Sequence, residues 1–523
     1  MSENMEDQFD TMADQFETIE VEDQFDTSKT DIQQFFEGQT LFITGGTGFL
    51  GKLLIEKLLR CCYSLKKIYV LVRNKKGKTQ KERFEEIFEA ECFDPLKKKY
   101  PNFLEKVDLV YGDCLLPDVG LSPESIEMIQ KEVTTIFHIA ATVRFDQHLK
   151  SAAFINVRSV RDLVRIAKDM PQLKAFLHCS TAFSFCPRST ILEEFYRPPL
   201  QSEKLLSLVD SLDDSTITEI TPILLKDWPN SYVFTKAIAE GVVRTEGIGL
   251  PIAMVRPAIV TVSAREPVPG WIDNMYGVTG VVAGAAMGAL RTMPAEPDNN
   301  AEFVPVDFVI NNIIAAVWEV GKRGRVAEID DDIPIYNYVL SPFYRVTWKQ
   351  FFDLCYVSGM NYPTVKAIWY FCFSLRPNPI HHQLALFFLH TLPAHFTDFL
   401  MVCVGKKPVA VKSYQKVKKF LDVISYFARR NWAFGVVNVK KLMKRMSPED
   451  REMFNFDLNT LDMNEIVSKG ILGGRQYLVK DPLDTLPQAR KKYFRLKIAH
   501  YALLTGILLV VVKIVFMMFR YFF

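Results

Sequence analysis

The octapeptide Thr44-Gly45-Gly46-Thr47-Gly48-Phe49-Leu50-Gly51 directly follows the apolar run Leu41-Phe42-Ile43 and opens a helical stretch over 52–60. Its glycines fit GxxGxxG, a spacing variant of the GxGxxG dinucleotide fingerprint. Gly45 permits the tight turn, Gly48 lets backbone approach a pyrophosphate, and Gly51 lets the helix pack on the strand. The amides of the helix start then meet phosphate charge. Strand, turn and helix in this order commit the start of the chain to a nucleotide-binding α/β sheet.

Further strand-like runs follow: Ile68 to Val72, Val107 to Val110, Ile136 to His138, Phe176 to His178 and Ile252 to Val255. They are short, apolar on both faces and separated by helix-length segments, which predicts a parallel sheet covered on both sides. Beyond about residue 341 the pattern turns helical and aromatic. The expected organisation is therefore an acidic tail over 1–37, a Rossmann-type reductase domain over 38–340 and a helical domain over 341–487. A transmembrane helix over 498–519 completes it.

The tail carries Lys29 as its only base among many carboxylates and repeats a degenerate Asp-Gln-Phe unit at residues 7, 14 and 23. So little apolar surface predicts disorder, with a protein partner docking on the phenylalanines as the further expectation. Over the whole chain 63 basic residues face 61 acidic ones, which gives no electrostatic footprint for nucleic acid. The 9 cysteines have no CxxC pair and no metal-ligand spacing, as free thiols in a reducing compartment would. No apolar h-region follows Met1, so no secretory leader is expected.

Residues 498–519 span ~33 Å as a helix, enough for a ~30 Å hydrocarbon core. Their one charge, Lys513, lies near the distal end, where it can snorkel. Arg490, Lys491, Lys492, Arg495 and Lys497 precede the run and Arg520 alone follows it, which predicts cytosolic catalytic domains and a tail anchor. The endoplasmic reticulum is the expected membrane, with the peroxisomal membrane or a lipid droplet as alternatives. A monotopic arrangement, with the aromatic stretch 368–404 at the interface, is the competing topology.

The second strand ends Val72-Arg73-Asn74-Lys75-Lys76, with no acid to bind a ribose 2′-hydroxyl. Arg73 there suits a 2′-phosphate and predicts NADPH. Gly112-Asp113 ends the third strand, where Asp113 either meets the adenine or simply closes a turn. Tyr232 and Lys236, in Asn230-Ser231-Tyr232-Val233-Phe234-Thr235-Lys236, stand i and i+4 on one helical face. A tyrosine of ordinary pKa near ~10 is a poor acid–base group, and the nearby ammonium is expected to lower it. His178-Cys179-Ser180-Thr181 places two adjacent hydroxyls at the end of the fifth strand. Cys179 raises a rival idea, an acyl-thioester nucleophile, but nothing nearby in sequence looks like its activating base.

With a Gly-rich turn and a YxxxK pair at this separation, the chain resembles the short-chain dehydrogenase/reductases. More specifically, residues 39–487 resemble the alcohol-forming fatty acyl-CoA reductases of the insect-like membrane type. The resemblance rests on the glycine turn, His138-Ile139-Ala140-Ala141-Thr142-Val143-Arg144-Phe145-Asp146, Trp228-Pro229-Asn230-Ser231-Tyr232 and Arg256-Pro257-Ala258-Ile259-Val260. Glu266-Pro267-Val268-Pro269-Gly270-Trp271-Ile272-Asp273-Asn274 is the most family-specific stretch. Val304-Pro305-Val306-Asp307, Leu392-Pro393-Ala394 and Gly405-Lys406-Lys407-Pro408 carry the resemblance into that family's C-terminal "sterile" domain.

It implies catalytic roles for Tyr232, Lys236 and Thr181, with Ser180 beside them, and Thr181 as the hydroxyl that meets the reacting carbonyl. It implies cofactor contacts from Gly45, Thr47, Gly48, Phe49, Leu50, Gly51, Arg73, Asp113 and Ala140 as well as Tyr232 and Lys236. Two hydride transfers from NADPH would take a long-chain acyl-CoA through an aldehyde to the alcohol, without a metal. The expected partners are that substrate and the lipid bilayer, with room for a homo-oligomer. Phe183 departs from the family's tyrosine and Met463 from its tryptophan, the first in the expected pocket. A sterol or sugar-nucleotide dehydrogenase, or a non-catalytic membrane scaffold, are the alternative readings.

Overall fold

The computed structural model describes residues 29–75, 77–325 and 333–522. The Asp-Gln-Phe repeats lie outside the described residues. The end of the expected tail does not stay unstructured. Helix α1 (Asp31–Phe36) is closed by a capping box between Thr30 and Gln33 and buries Ile32 and Phe36 completely. The Ile32 N–H donates to the Asp450 carboxylate at 3.3 Å while Phe36 stacks on Phe137 at a centroid distance of 6.5 Å, so this helix ties the reductase sheet to the C-terminal region. Two fully buried apolar side chains are enough to order one short helix that average composition conceals.

Seven strands form one sheet: β1 (Thr40–Thr44), β2 (Lys67–Val72), β3 (Val107–Tyr111), β4 (Thr135–His138), β5 (Ala175–Cys179), β6 (Ile252–Pro257) and β7 (Ile335–Tyr338). Every pairing is parallel, in the order β7-β6-β5-β4-β1-β2-β3. This is a Rossmann-type doubly wound sheet. Strand alternation fills a core on each face, with Leu41 and Ile43 in one and Phe42 in the other. Helices α2 (Phe49–Cys61) and α5 (Val306–Arg323) cover the first face, and α3 (Ser159–Lys168) and α4 (Ser231–Glu246) cover the second. The order reverses between β1 and β4, and a crevice opens there beyond the strand ends, where such sheets bind ligands.

The C-terminal region is helical, with α6 (Trp348–Asn361), α7 (Leu392–Cys403), α8 (Ala410–Ala428), α9 (Met463–Gly473) and α10 (Leu486–Phe522). It does not form a separate core. Phe351, Leu421, Leu442 and Ile466 join the same buried cluster as Ile272 and Val281. The Gly270-Trp271 segment is the seam. A Cβ on Gly270 would meet the Lys469 carbonyl at 2.3 Å, while Trp271 packs on Phe49 with ring centroids 5.6 Å apart. The helical region is thus pressed against the helix that opens at the glycine turn.

Among the described residues, two stretches are long and apolar enough to cross a membrane, Pro379–Cys403 and Leu483–Phe522. The apolar run expected over 498–519 lies inside α10 and is exposed along its length.

Candidate active site

The glycine turn makes the floor of the crevice by close approach. Gly45 has φ +80°, and a Cβ there would sit 2.7 Å from the Ala140 nitrogen; on Gly51 it would sit 2.2 Å from the Gly45 carbonyl. Thr44 Oγ1 joins the neighbouring strand end, 2.7 Å from His138 Nδ1, and accepts the Ala140 N–H at 3.3 Å. Helix α2 starts at Gly48 with no side chain capping its first amides. Uncapped donors beside a turn that only glycine can make fit the pyrophosphate of a dinucleotide.

Arg73 follows β2, and Arg83 stands beside it next to the glycine turn. The Arg83 guanidinium donates to the Arg73 carbonyl at 2.5 Å and to Thr47 Oγ1 at 3.3 Å. Among the described residues neither arginine forms an ion pair with a carboxylate. Burial, and next the Arg73 charge, push the Arg83 pKa down. Two crowded cations that form no such ion pair, with only the weaker pull of Glu86 and Asp113 on Arg83, fit a phosphate. Asp113 lies in the same wall, its carboxylate accepting the Leu115 N–H at 3.0 Å, so it closes a turn and faces the cavity at once. Nothing near the fingerprint in sequence announces Arg83, which lies in the next helix, Gln80–Phe88.

Tyr232, Lys236, Ser180 and Thr181 come together where α4 meets the end of β5. Asn230 caps α4 by accepting the Val233 N–H at 3.1 Å, which sets the helix start one residue before Tyr232. The Tyr232 phenol and the Thr181 hydroxyl line the same cavity, and Thr181 draws the phenol's pKa down. Lys236 does not lower the phenol as expected. Its ammonium donates to the Cys179 carbonyl at 2.6 Å, and burial outweighs every other influence, raising the Tyr232 pKa well above its ordinary value. Burial also lowers the Lys236 pKa, against the opposing pull of Cys179 and Glu240.

Ser180 requires a second correction. Its hydroxyl donates to Glu240 at 2.5 Å, and Arg256 holds that carboxylate through Nε at 3.0 Å and Nη2 at 2.6 Å. Ser180 therefore braces the end of β5 and leaves Thr181 as the hydroxyl that faces Tyr232. Glu240 lies one helical turn past Lys236, so the spacing that revealed the Tyr–Lys pair also pointed to it. Asn156 was not legible. Fully buried, it accepts the Thr142 N–H at 3.0 Å and donates to Thr235 Oγ1 at 2.9 Å, tying the loop after β4 to α4. The Cys179 thiol is buried and its pKa raised by that burial, which opposes the thiolate a nucleophile needs.

The glycine turn, Arg73, Arg83, Asp113, Thr181, Tyr232 and Lys236 line one cavity of about 700 Å³. The helical region supplies its other wall through Trp348, Ile424, Phe427 and Ala428. Phe145 lies between Tyr232 and Phe427, at centroid distances of 5.8 and 6.2 Å. Phe183 packs edge-on against Phe427 and Trp432, both at 5.3 Å. Met463 is buried at the start of α9, away from the cavity lining.

Two family models, both described as male sterility protein, match the chain: an NAD-binding model over residues 43–313 and a Sterile model over 389–481. Fatty acyl-CoA reductase wat of Drosophila melanogaster is 39% identical over 473 residues, covering 90% of each chain. Fatty acyl-CoA reductase 1 of Rattus norvegicus is 37% identical over 486 residues, 92% of this chain and 93% of the relative. Among solved structures, the terminal R domain of the myxalamid PKS-NRPS pathway aligns over 84% of this chain and 91% of its own, with a TM-score of 0.55 at 20% identity. The reductase domain of a Mycobacterium tuberculosis non-ribosomal peptide synthetase aligns over 86% and 96%, with a TM-score of 0.54 at 15% identity. The solved structures agree on the fold, and the relatives match over nearly the whole length. The chain belongs to the fatty acyl-CoA reductase family.

Proposed function

We propose that the protein reduces a long-chain fatty acyl-CoA to the primary alcohol and CoA, with NADPH as the reductant and the aldehyde as intermediate. The observation that carries this reading is a single cavity lined by Tyr232 and Thr181, by the glycine turn and by Arg73 and Arg83. NADPH, when bound, supplies the hydride for each of the two reductions. The glycine turn and uncapped α2 amides would hold the pyrophosphate, and Arg73 and Arg83 the 2′-phosphate.

Thr181 and Tyr232 present two O–H donors to one carbonyl oxygen, where negative charge develops. The raised Tyr232 pKa keeps the phenol protonated at neutral pH, so it meets an oxyanion as a donor and can hand it the proton. Phe145, Phe183 and Phe427 exclude water from this point and leave an apolar wall for the acyl chain. In the first reduction the C–S bond breaks and the thiolate takes a proton from solvent; in the second the alkoxide takes the Tyr232 proton.

The α10 helix would anchor the protein in the endoplasmic reticulum with the cavity on the cytosolic side, a topology that a glycosylation acceptor fused after Phe523 reports. The activity test is incubation of the full-length protein with an acyl-CoA series and either NADPH or NADH. The expected result is fatty alcohol with NADPH. No acyl-CoA-dependent oxidation of either cofactor would overturn the reading, and turnover of a sterol or sugar nucleotide instead would replace it.

A further inference from the structure

The stretch Pro379–Cys403 exposes large apolar side chains to water. Ile380, Leu384, Phe388, Phe396 and Phe399 are each more than half exposed. A patch of this kind on one continuous element calls for an apolar partner.

The first half of the stretch is tied to the reductase body. Near its start, His382 Nδ1 lies 3.3 Å from Thr292 Oγ1, and farther along His390 Nε2 accepts the Arg291 N–H at 3.1 Å. The Arg291 guanidinium also donates to the Leu389 carbonyl at 2.8 Å. Beyond α7 the chain reverses at once, because Asp398 accepts the N–H groups of Val409, Ala410 and Val411 at 2.8, 2.8 and 3.0 Å. Helix α8 then returns to the body, where Phe427 and Ala428 line the catalytic cavity.

This hairpin cannot span a bilayer and come back without drawing the lysines of α8 through hydrocarbon. Those lysines suit a surface instead. Lys406, Lys407, Lys412, Lys416, Lys418 and Lys419 are all exposed, and residues 404–421 contain no carboxylate to pair with them.

The level of the bilayer surface is marked independently on α10. Its apolar run begins at Ile498, and there the Trp369 indole donates to His500 Nδ1 at 3.1 Å. Tyr370 packs against Tyr493, His500 and Tyr501 at 5.1, 5.5 and 6.0 Å. Tryptophan and tyrosine gather at membrane–water interfaces. Arg291 joins this belt to the exposed stretch, since its guanidinium also lies over the Trp369 ring at 5.6 Å. The apolar hairpin and the start of the apolar run therefore stand at one depth.

We infer that Pro379–Cys403 is a second lipid-contacting element. It lies along the headgroup–acyl boundary of the leaflet that α10 enters, with the lysines of the following turn and α8 on anionic lipid phosphates. The attachment holds the cavity at the bilayer surface, since Met293, beside the Thr292 that meets His382, lines the cavity wall. This inference rests on the reading of α10 as a membrane anchor.

The exposed thiol of Cys403 offers the probe. The full-length Cys61→Ser/Cys372→Ser protein, labelled at Cys403 with an environment-sensitive fluorophore, is reconstituted in phosphatidylcholine vesicles with or without phosphatidylserine. The expected result is a blue shift and quenching by a nitroxide-bearing lipid, both stronger with phosphatidylserine. Lys406→Glu/Lys407→Glu/Lys412→Glu should weaken both while NADPH binding is unchanged. A carbonate-resistant protein whose label stays in water overturns the second contact alone. Loss of carbonate resistance overturns the anchor and the inference together. A shift that depends on protein concentration and is indifferent to lipid quencher assigns the surface to a second copy of the chain and overturns the lipid reading.

Discussion

The Lys236 ammonium donates to the Cys179 carbonyl at 2.6 Å, at the last residue of β5. It holds the strand end that carries Thr181 into the cavity beside Tyr232, while burial raises the phenol's pKa. Geometry, not proton affinity, is what the i, i+4 pair secures in this state of the site.

Tyr232→Phe should retain cofactor binding and lower turnover by ~10²–10⁴, the usual range for a positioned proton donor. NADPH fluorescence titration beside steady-state kinetics separates the two effects. Turnover within a few-fold of the parent protein would remove Tyr232 from the chemistry.

Arg83→Ala should weaken NADPH binding by ~10–100-fold and leave NADH binding nearly unchanged, because a hydrogen bond to a charged group contributes ~1.5–3 kcal/mol. Arg73→Asp should go further and shift preference toward NADH, since it also supplies a ribose acceptor. The ratio of kcat/KM for the two cofactors is the readout. An unchanged ratio in both variants would place the 2′-phosphate elsewhere.

Removal of residues 1–28 should leave the melting temperature and the activity of the protein intact. Removal of 1–36 should not, because it strips Ile32 and Phe36 from the core; Phe36→Ala alone should cost ~3–5 kcal/mol. Thermal unfolding of the two deletions side by side tests this, and equal melting points would contradict the docking of α1.

Glu193 predicts a pH dependence. Its carboxyl accepts N–H groups from Asn337, Asn438 and Val439, joining β7 to the helix Val437–Arg445, yet burial outweighs these bonds and pushes its pKa from 4.5 to about 7. An acid with a raised folded pKa binds its proton more tightly when folded. Its contribution is full below the unfolded value and is lost as pH rises through about 7. The melting temperature should therefore fall between pH ~5 and ~8, and fall less in Glu193→Gln. Parallel curves for the two proteins would show that another group sets the slope.

The strands were legible because a strand buried on both faces must be an uninterrupted apolar run, as Leu41 to Ile43 is. β7 escaped because its Ile-Tyr-Asn-Tyr sequence buries an asparagine, whose amide is satisfied by the Ile191 and Gly435 carbonyls at 3.1 and 3.0 Å. The glycine turn and the Tyr232–Lys236 pair were legible because their geometry is local. Arg83, Asn156 and Phe427 reach the site from other elements, and no spacing rule connects them to it. Sequence places Ser180 beside Thr181 but does not show that the Arg256–Glu240 pair below the strand takes its hydroxyl.

The contact between Ile32 and Asp450 joins residues 418 positions apart. At ~5–20 residues per second, the Ile32 N–H would wait on the order of 20–80 s after its own synthesis before Asp450 leaves the ribosome. Phe36 can stack on Phe137 long before that, so over that interval it is the start of α1 that lacks its partner. The reductase sheet can assemble early, but its seal arrives late, when the helical region is almost complete. A truncation that removes Asp450 would then be felt 418 residues away, as the first turn of α1 left with an unsatisfied N–H.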